Sequence, residues 1–111
     1  MVSNRSVLLN TGLSKLEFFV HPIGAVFKQR PGIYAFAVNH AELRYSLLYI
    51  GQTENLDQRV GSNVASHEKY KAAIGFGANV MLVRLFLGPE QARIGIETAL
   101  LNNYAPPLNL Q

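Results

Sequence analysis

The 111-residue chain contains neither cysteine nor tryptophan. The absence of cysteine excludes disulfides, thiolate zinc sites, iron–sulfur clusters and a cysteine nucleophile. Charged residues are also scarce, at 15% against 49% hydrophobic, which is the balance of a chain that buries a core rather than of a disordered one. No apolar run approaches the roughly 20 residues that span a bilayer. The opening segment, residues 1–10, has one arginine and a very short apolar stretch, without the longer apolar region and cleavage site of a secretory signal. The expectation is a soluble, cytoplasmic chain with no membrane contact.

Several site chemistries lack their signatures. His21, His40 and His67 show no ligand spacing with one another, which argues against a histidine metal site. No glycine-rich phosphate loop with a following lysine is present, and nothing supports a serine-type triad. Ten Lys+Arg stand against seven Asp+Glu, a formal charge of +3 with no polybasic block. That mild excess permits nucleic-acid binding without demanding it. Any binding surface must be assembled by the fold.

What is present fits one domain. Residues 1–30 read as an irregular N-terminal extension, apart from a short strand at Leu16–Val20 and a turn at His21–Gly24. Residues 31–109 form the motif-bearing core. Ile33–Val38 and Tyr45–Ile50 are apolar, with β-branched and aromatic members, and read as strands joined by a polar loop, Asn39–Arg44. A hairpin centred between Ala41 and Glu42 would set Tyr34 opposite Tyr49, on one face. Thr53 or Asn55 caps a helix running through Arg59 to about Gly61. Val64–Ile74 reads as a second helix and Asn79–Leu87 as a third strand. Pro89 opens a final helix that reaches about Tyr104 and is stopped by Pro106-Pro107. The order β-β-α-α-β-α predicts an α+β fold with a small, mainly antiparallel, three-stranded sheet flanked by helices.

Two tripeptides, Gly32-Ile33-Tyr34 and Tyr49-Ile50-Gly51, sit on the two hairpin strands. Downstream come an Asn55-Leu56 pair at a helix opening and Arg59, ten residues after Tyr49 (59 − 49 = 10). Glu97 lies on the last helix, and Asn109 follows Pro106-Pro107. On these residues the chain resembles the GIY-YIG nuclease family over about residues 31–109. The resemblance implies a metal-dependent endonuclease that hydrolyses nucleic acid, DNA in preference to RNA, leaving a 5′ phosphate and a 3′ hydroxyl. It implies Tyr34 as base, Tyr49 as the residue orienting water or phosphate, Arg59 as phosphate clamp and Glu97 as ligand of one Mg²⁺ or Mn²⁺ ion. Gly51 would leave room beside the site. Lys69, Lys71 and Asn109 would join Arg59 in holding substrate.

Glu97 can also be weighed from periodicity. At about 100° per residue, with Ile94 at 0°, Leu101, Tyr104, Leu100 and Ile96 fall between about −20° and −160°, and Glu97 falls near −60°, inside that apolar arc. A carboxylate there is costly unless it is paired or binds metal. The alternative to a metal is an ion pair with Arg59 or Arg84. The chain departs from the family at Asn63, where many members carry His or Tyr one turn after the arginine, because an amide takes up no proton. A helix break at Gly61 would bring His67 into the site instead; otherwise His67 is a surface residue. The competing reading is a catalytically weak GIY-YIG fold that binds nucleic acid or a protein. With no separate recognition domain in these 111 residues, specificity would come from substrate shape, a protein partner or a homo-oligomer.

Overall fold

The computed structural model describes residues 5–42 and 44–110. Strands β1 (Ser6–Asn10) and β2 (Lys15–Pro22) form an antiparallel hairpin. Its alternation is that of a half-buried ribbon: Leu9, Phe18 and Val20 point into the core, while Leu8 and Phe19 are exposed. The side chain of Asn10 accepts from the backbone N–H of Gly12 at 2.7 Å, and Gly12 takes φ 95°, which closes the turn. Strands β3 (Gly32–Ala41), β4 (Arg44–Thr53) and β5 (Val80–Leu85) complete a five-stranded antiparallel sheet in the order β1-β2-β5-β3-β4.

The α+β class agrees with expectation, but the three-stranded sheet does not. Within the expected N-terminal extension, Ser6–Asn10 and Lys15–Pro22 belong to the sheet: β2 pairs with the free edge of β5, Val20 against Leu82. The expected polar loop over residues 39–44 is also mostly strand, because β3 runs to Ala41 and β4 begins at Arg44. Tyr34 lies opposite Gly51 rather than Tyr49, and Tyr49 pairs with Phe36. A register shift between Phe36 and Ala37 leaves Leu48 without a partner, since Phe36 faces Tyr49 and Ala37 faces Leu47. This bulge re-aims the strand. Tyr45 and Leu47 pack on one face of the sheet, whereas Leu48 and Tyr49 pack on the other. Unbroken alternation from Tyr45 would have turned Tyr49 away from Tyr34.

Helix α1 (Leu56–Val60) starts at Asn55, whose side chain accepts from the Gln58 N–H. It ends at Gly61, where Asp57 takes the Ser62 N–H at 3.1 Å and the Phe27 N–H at 2.9 Å. The expected second helix over 64–74 is divided into a 3₁₀ turn at Val64–Ser66 and helix α2 (Tyr70–Gly75). Helix α3 (Glu90–Tyr104) closes with Ala105 at φ 45°. Among the described residues no helix is long and apolar enough to cross a membrane.

The sheet separates two apolar layers. Ile33, Ala35, Ile50 and Leu82 meet Leu100 of α3 on one face. Tyr34, Phe36 and Met81 meet Leu56 and Val60 of α1 on the other. Strand β4 is an outer edge. The Asn109 amide caps it, donating to the Ile50 carbonyl at 2.9 Å and accepting the Ile50 N–H at 2.8 Å.

Because Phe18 is 0% exposed, Phe18→Ala is expected to lose about 3–5 kcal/mol in urea denaturation. A loss near zero would make residues 1–30 an appendage rather than part of the core.

Candidate functional site

Tyr34 lies in the α1-side layer and is 1% exposed. Its ring covers Gly51 on the neighbouring strand, where an added Cβ would collide with the Tyr34 hydroxyl. Glycine at 51 is therefore a requirement for close approach. The hydroxyl meets Nε2 of His67 at 2.8 Å. His67 is 4% exposed, and the rings of Tyr34, Phe36 and Tyr49 surround it edge-on at 5.7, 5.2 and 5.2 Å. The break at Gly61 and the 3₁₀ turn that follows carry it there. Asn63 is exposed on that turn, and its carbonyl accepts from Ser66.

The tautomer of His67 follows from its partners. Nδ1 accepts the Lys69 backbone N–H at 3.0 Å, so a neutral ring carries its proton on Nε2 and donates to the Tyr34 oxygen. Burial, with Arg59 next in weight, lowers the His67 pKa to about 4. The imidazole is therefore neutral near pH 7.

Arg59, in the last turn of α1, faces both tyrosine hydroxyls. Its guanidinium donates to Glu68 Oε1 at 2.6 Å. Burial holds the Tyr34 phenol well above its ordinary range, and Arg59 opposes that rise. Tyr49 is half-buried and also raised, first by burial and then by the charge of Glu68. The pair with Arg59 brings the Glu68 carboxyl down to about 2.

Glu97 lies on α3, and the core face of that helix packs against the opposite side of the sheet from Tyr34. Glu97 itself lies at the outer edge of β4, where the Gln52 N–H bonds to its carboxylate. It is close enough that its charge opposes ionisation of Tyr49. Neither expected ion pair forms: Arg59 holds Glu68, and Arg84 donates to the Glu17 carbonyl at 3.1 Å. Burial raises the Glu97 pKa, and the Gln52 N–H only partly offsets it.

The remaining candidates are more peripheral. Lys69 is half-buried and Lys71 exposed, beside His67 in sequence. The amide of Asn109 is committed to the Ile50 backbone. Among the described residues no group of three His, Cys, Asp or Glu could hold a metal ion. A single carboxylate fits only an ion that keeps most of its waters and takes further oxygens from substrate, the habit of Mg²⁺.

Three residues of this region went unrecognised in the sequence. Glu68 offered no signal, since the broken helix hides its spacing from Arg59. Arg93 offered one: on the helical wheel it falls near −100°, inside the apolar arc. It is 3% exposed and donates from Nε to the Gln52 side chain at 2.6 Å. Gln52 thus ties α3 to the end of β4 through both its side chain and its backbone.

Comparison with known protein families, curated proteins and solved structures gives no match to this chain.

The lowered pKa of His67 has a stability consequence. Between about 4 and 6.5 the unfolded chain binds a proton at this ring that the folded chain does not. Stability therefore falls as pH drops through that window, by a few kcal/mol at most. The difference in unfolding free energy between wild type and His67→Gln should shrink on acidification from pH 7 to pH 4. A pH-independent difference would contradict a buried neutral imidazole.

Proposed function

We propose that the protein is a GIY-YIG-type, metal-dependent nuclease acting on nucleic acid, with DNA the favoured substrate. The observation carrying this reading is Glu97: a half-buried carboxylate at a strand edge beside Tyr49, with none of the described cationic side chains paired to it. The bond from the Gln52 N–H leaves the charge of this carboxylate uncompensated, whereas a divalent ion supplies the missing charge.

In this reading Tyr34 is the base. Two donors face its oxygen, the His67 Nε2–H and the Arg59 guanidinium, and both favour the phenolate. His67 positions Tyr34 and takes no proton itself. Tyr34 first gives up its own proton to solvent. Water then attacks phosphorus, its proton passes to the Tyr34 phenolate, and the bond from phosphorus to the 3′ oxygen breaks, the departing oxygen taking a proton from solvent to become the 3′ hydroxyl. Tyr49 orients the water or a non-bridging oxygen. Arg59 holds the phosphate, where negative charge builds in the transition state. Glu97, fixed by the Gln52 N–H, would hold a Mg²⁺ or Mn²⁺ ion, which supplies electrostatic stabilisation of the phosphate and leaving oxygen. Lys69 and Lys71 add distant positive charge, and specificity comes from substrate shape, a protein partner or a homo-oligomer.

A second reading is a catalytically weak module that binds nucleic acid or protein. It is favoured by the deep burial of Tyr34, whose phenol stands far above its ordinary range.

Incubation with plasmid, single-stranded and branched DNA plus Mg²⁺ or Mn²⁺ separates the two. Metal-dependent cutting is expected, and Glu97→Gln should reduce it by ~100-fold or more without unfolding the protein. Arg59→Ala should lower cutting far more than metal-free binding. Cutting by Glu97→Gln at the wild-type rate would remove Glu97 from the reaction, and DNA binding without any cutting would favour the second reading.

A further inference from the structure

Arg59 already has an anion in its grip. The Glu68 carboxylate lies 2.6 Å from its guanidinium, and the two side chains are 57% and 35% exposed respectively. The Glu68 backbone N–H also bonds to the carboxylate, and the other groups around Glu68 hold it weakly. Its other oxygen is 3.8 Å from Nδ1 of His67, but that nitrogen spends its lone pair on the Lys69 N–H. With the imidazole neutral, there is no charge there to attract a carboxylate. The backbone on either side of Glu68 is anchored, because His67 is buried and its ring holds Lys69 in place. The carboxylate is therefore aimed at Arg59 by a fixed segment and tethered by that contact.

A carboxylate presents two oxygens to a guanidinium much as a phosphodiester presents its two non-bridging oxygens. We propose that Glu68 occupies the phosphate position of the Arg59 clamp, as an internal stand-in that a substrate phosphate must displace. This rests on the reading of Arg59 as a phosphate-binding group. An exposed ion pair contributes little net stability, so Glu68 can be displaced, though not without competition. A polyanion whose neighbouring phosphates add attraction displaces it, whereas an isolated weak anion does not. Glu68 thereby sets a threshold of charge density for occupancy. Burial is the main cause of the raised Tyr34 and Tyr49 phenols, and the negative charge of Glu68 adds to it.

The test measures binding of a short fluorescein-labelled DNA duplex in EDTA, by anisotropy, for wild type, Glu68→Gln, Arg59→Ala and the double variant. Glu68→Gln is expected to bind roughly three- to tenfold tighter. Arg59→Ala should erase that gain, so that the double variant binds no tighter than Arg59→Ala alone. Glu68→Asp, which keeps the charge on a shorter stem, should fall between wild type and Glu68→Gln and supplies a second readout if the glutamine variant unfolds. Equal binding by wild type and both Glu68 variants overturns the proposal and leaves Arg59 as a phosphate contact. A gain that persists without Arg59 also overturns it, because it would report only the lost negative charge. Failure of every protein to bind overturns the phosphate reading and the stand-in together.

Discussion

The hydrogen bond between Tyr34 and His67 sets the form of the candidate site. It places two polar groups inside an apolar layer, where an unpaired hydroxyl or imidazole nitrogen costs about 1–3 kcal/mol. Both rings are nearly sealed, at 1% and 4% exposed, so each depends on the other. The remaining local features provide for that pairing. Gly51 leaves space for the Tyr34 hydroxyl. Asp57 and Gly61 end α1 early, and the chain then turns inward instead of continuing as a helix. The Lys69 N–H fixes the ring tautomer. Arg59, one residue before the end of α1, faces the same oxygen from its other side.

A second constraint is the edge of β4. Its backbone groups have no strand to pair with on the outer side, and exposed edges are usually covered or blunted. Here the cover is chemical: the Asn109 amide satisfies Ile50, and the Glu97 carboxylate satisfies the N–H of Gln52. The bulge at Leu48 in β4 turns Tyr49 towards Tyr34 of the neighbouring β3. Helix α3 thus brings the charge of Glu97 within reach of Tyr49 although its apolar face packs on the other side of the sheet.

Sequence periodicity revealed much of this and missed the rest for identifiable reasons. The central strands, the cap at Asn55, the stop at Gly61 and the extent of α3 follow from alternation, capping chemistry and proline, all local rules. Of the β1–β2 hairpin only Leu16–Val20 was read as a strand; β1 and its turn at Asn10-Thr11-Gly12 were missed, and the partner strand β5 lies some sixty residues away. The register of Tyr34 was misjudged because the turn is centred one residue later than expected, with Ala41 opposite Arg44, and the two register shifts in the hairpin cancel. Glu97's place in an apolar arc was readable, whereas the sheet edge it serves was not. His67 could enter the site only through a helix break, and one residue type at Gly61 does not reveal how the chain continues. The Glu68–Arg59 contact depends wholly on that tertiary path.

The central claim is that Glu97, Tyr49 and the Tyr34–His67–Arg59 group form one centre that recruits a divalent ion. Titration with Mn²⁺ while recording amide resonances tests it most directly, because a bound paramagnetic ion broadens signals in its neighbourhood, whether or not any substrate is cut. Broadening is expected to centre on Gln52, Tyr49 and Glu97, to be weak at β1, and to be abolished by Glu97→Gln. Saturable broadening centred elsewhere, or broadening at Gln52 that survives Glu97→Gln, would contradict it.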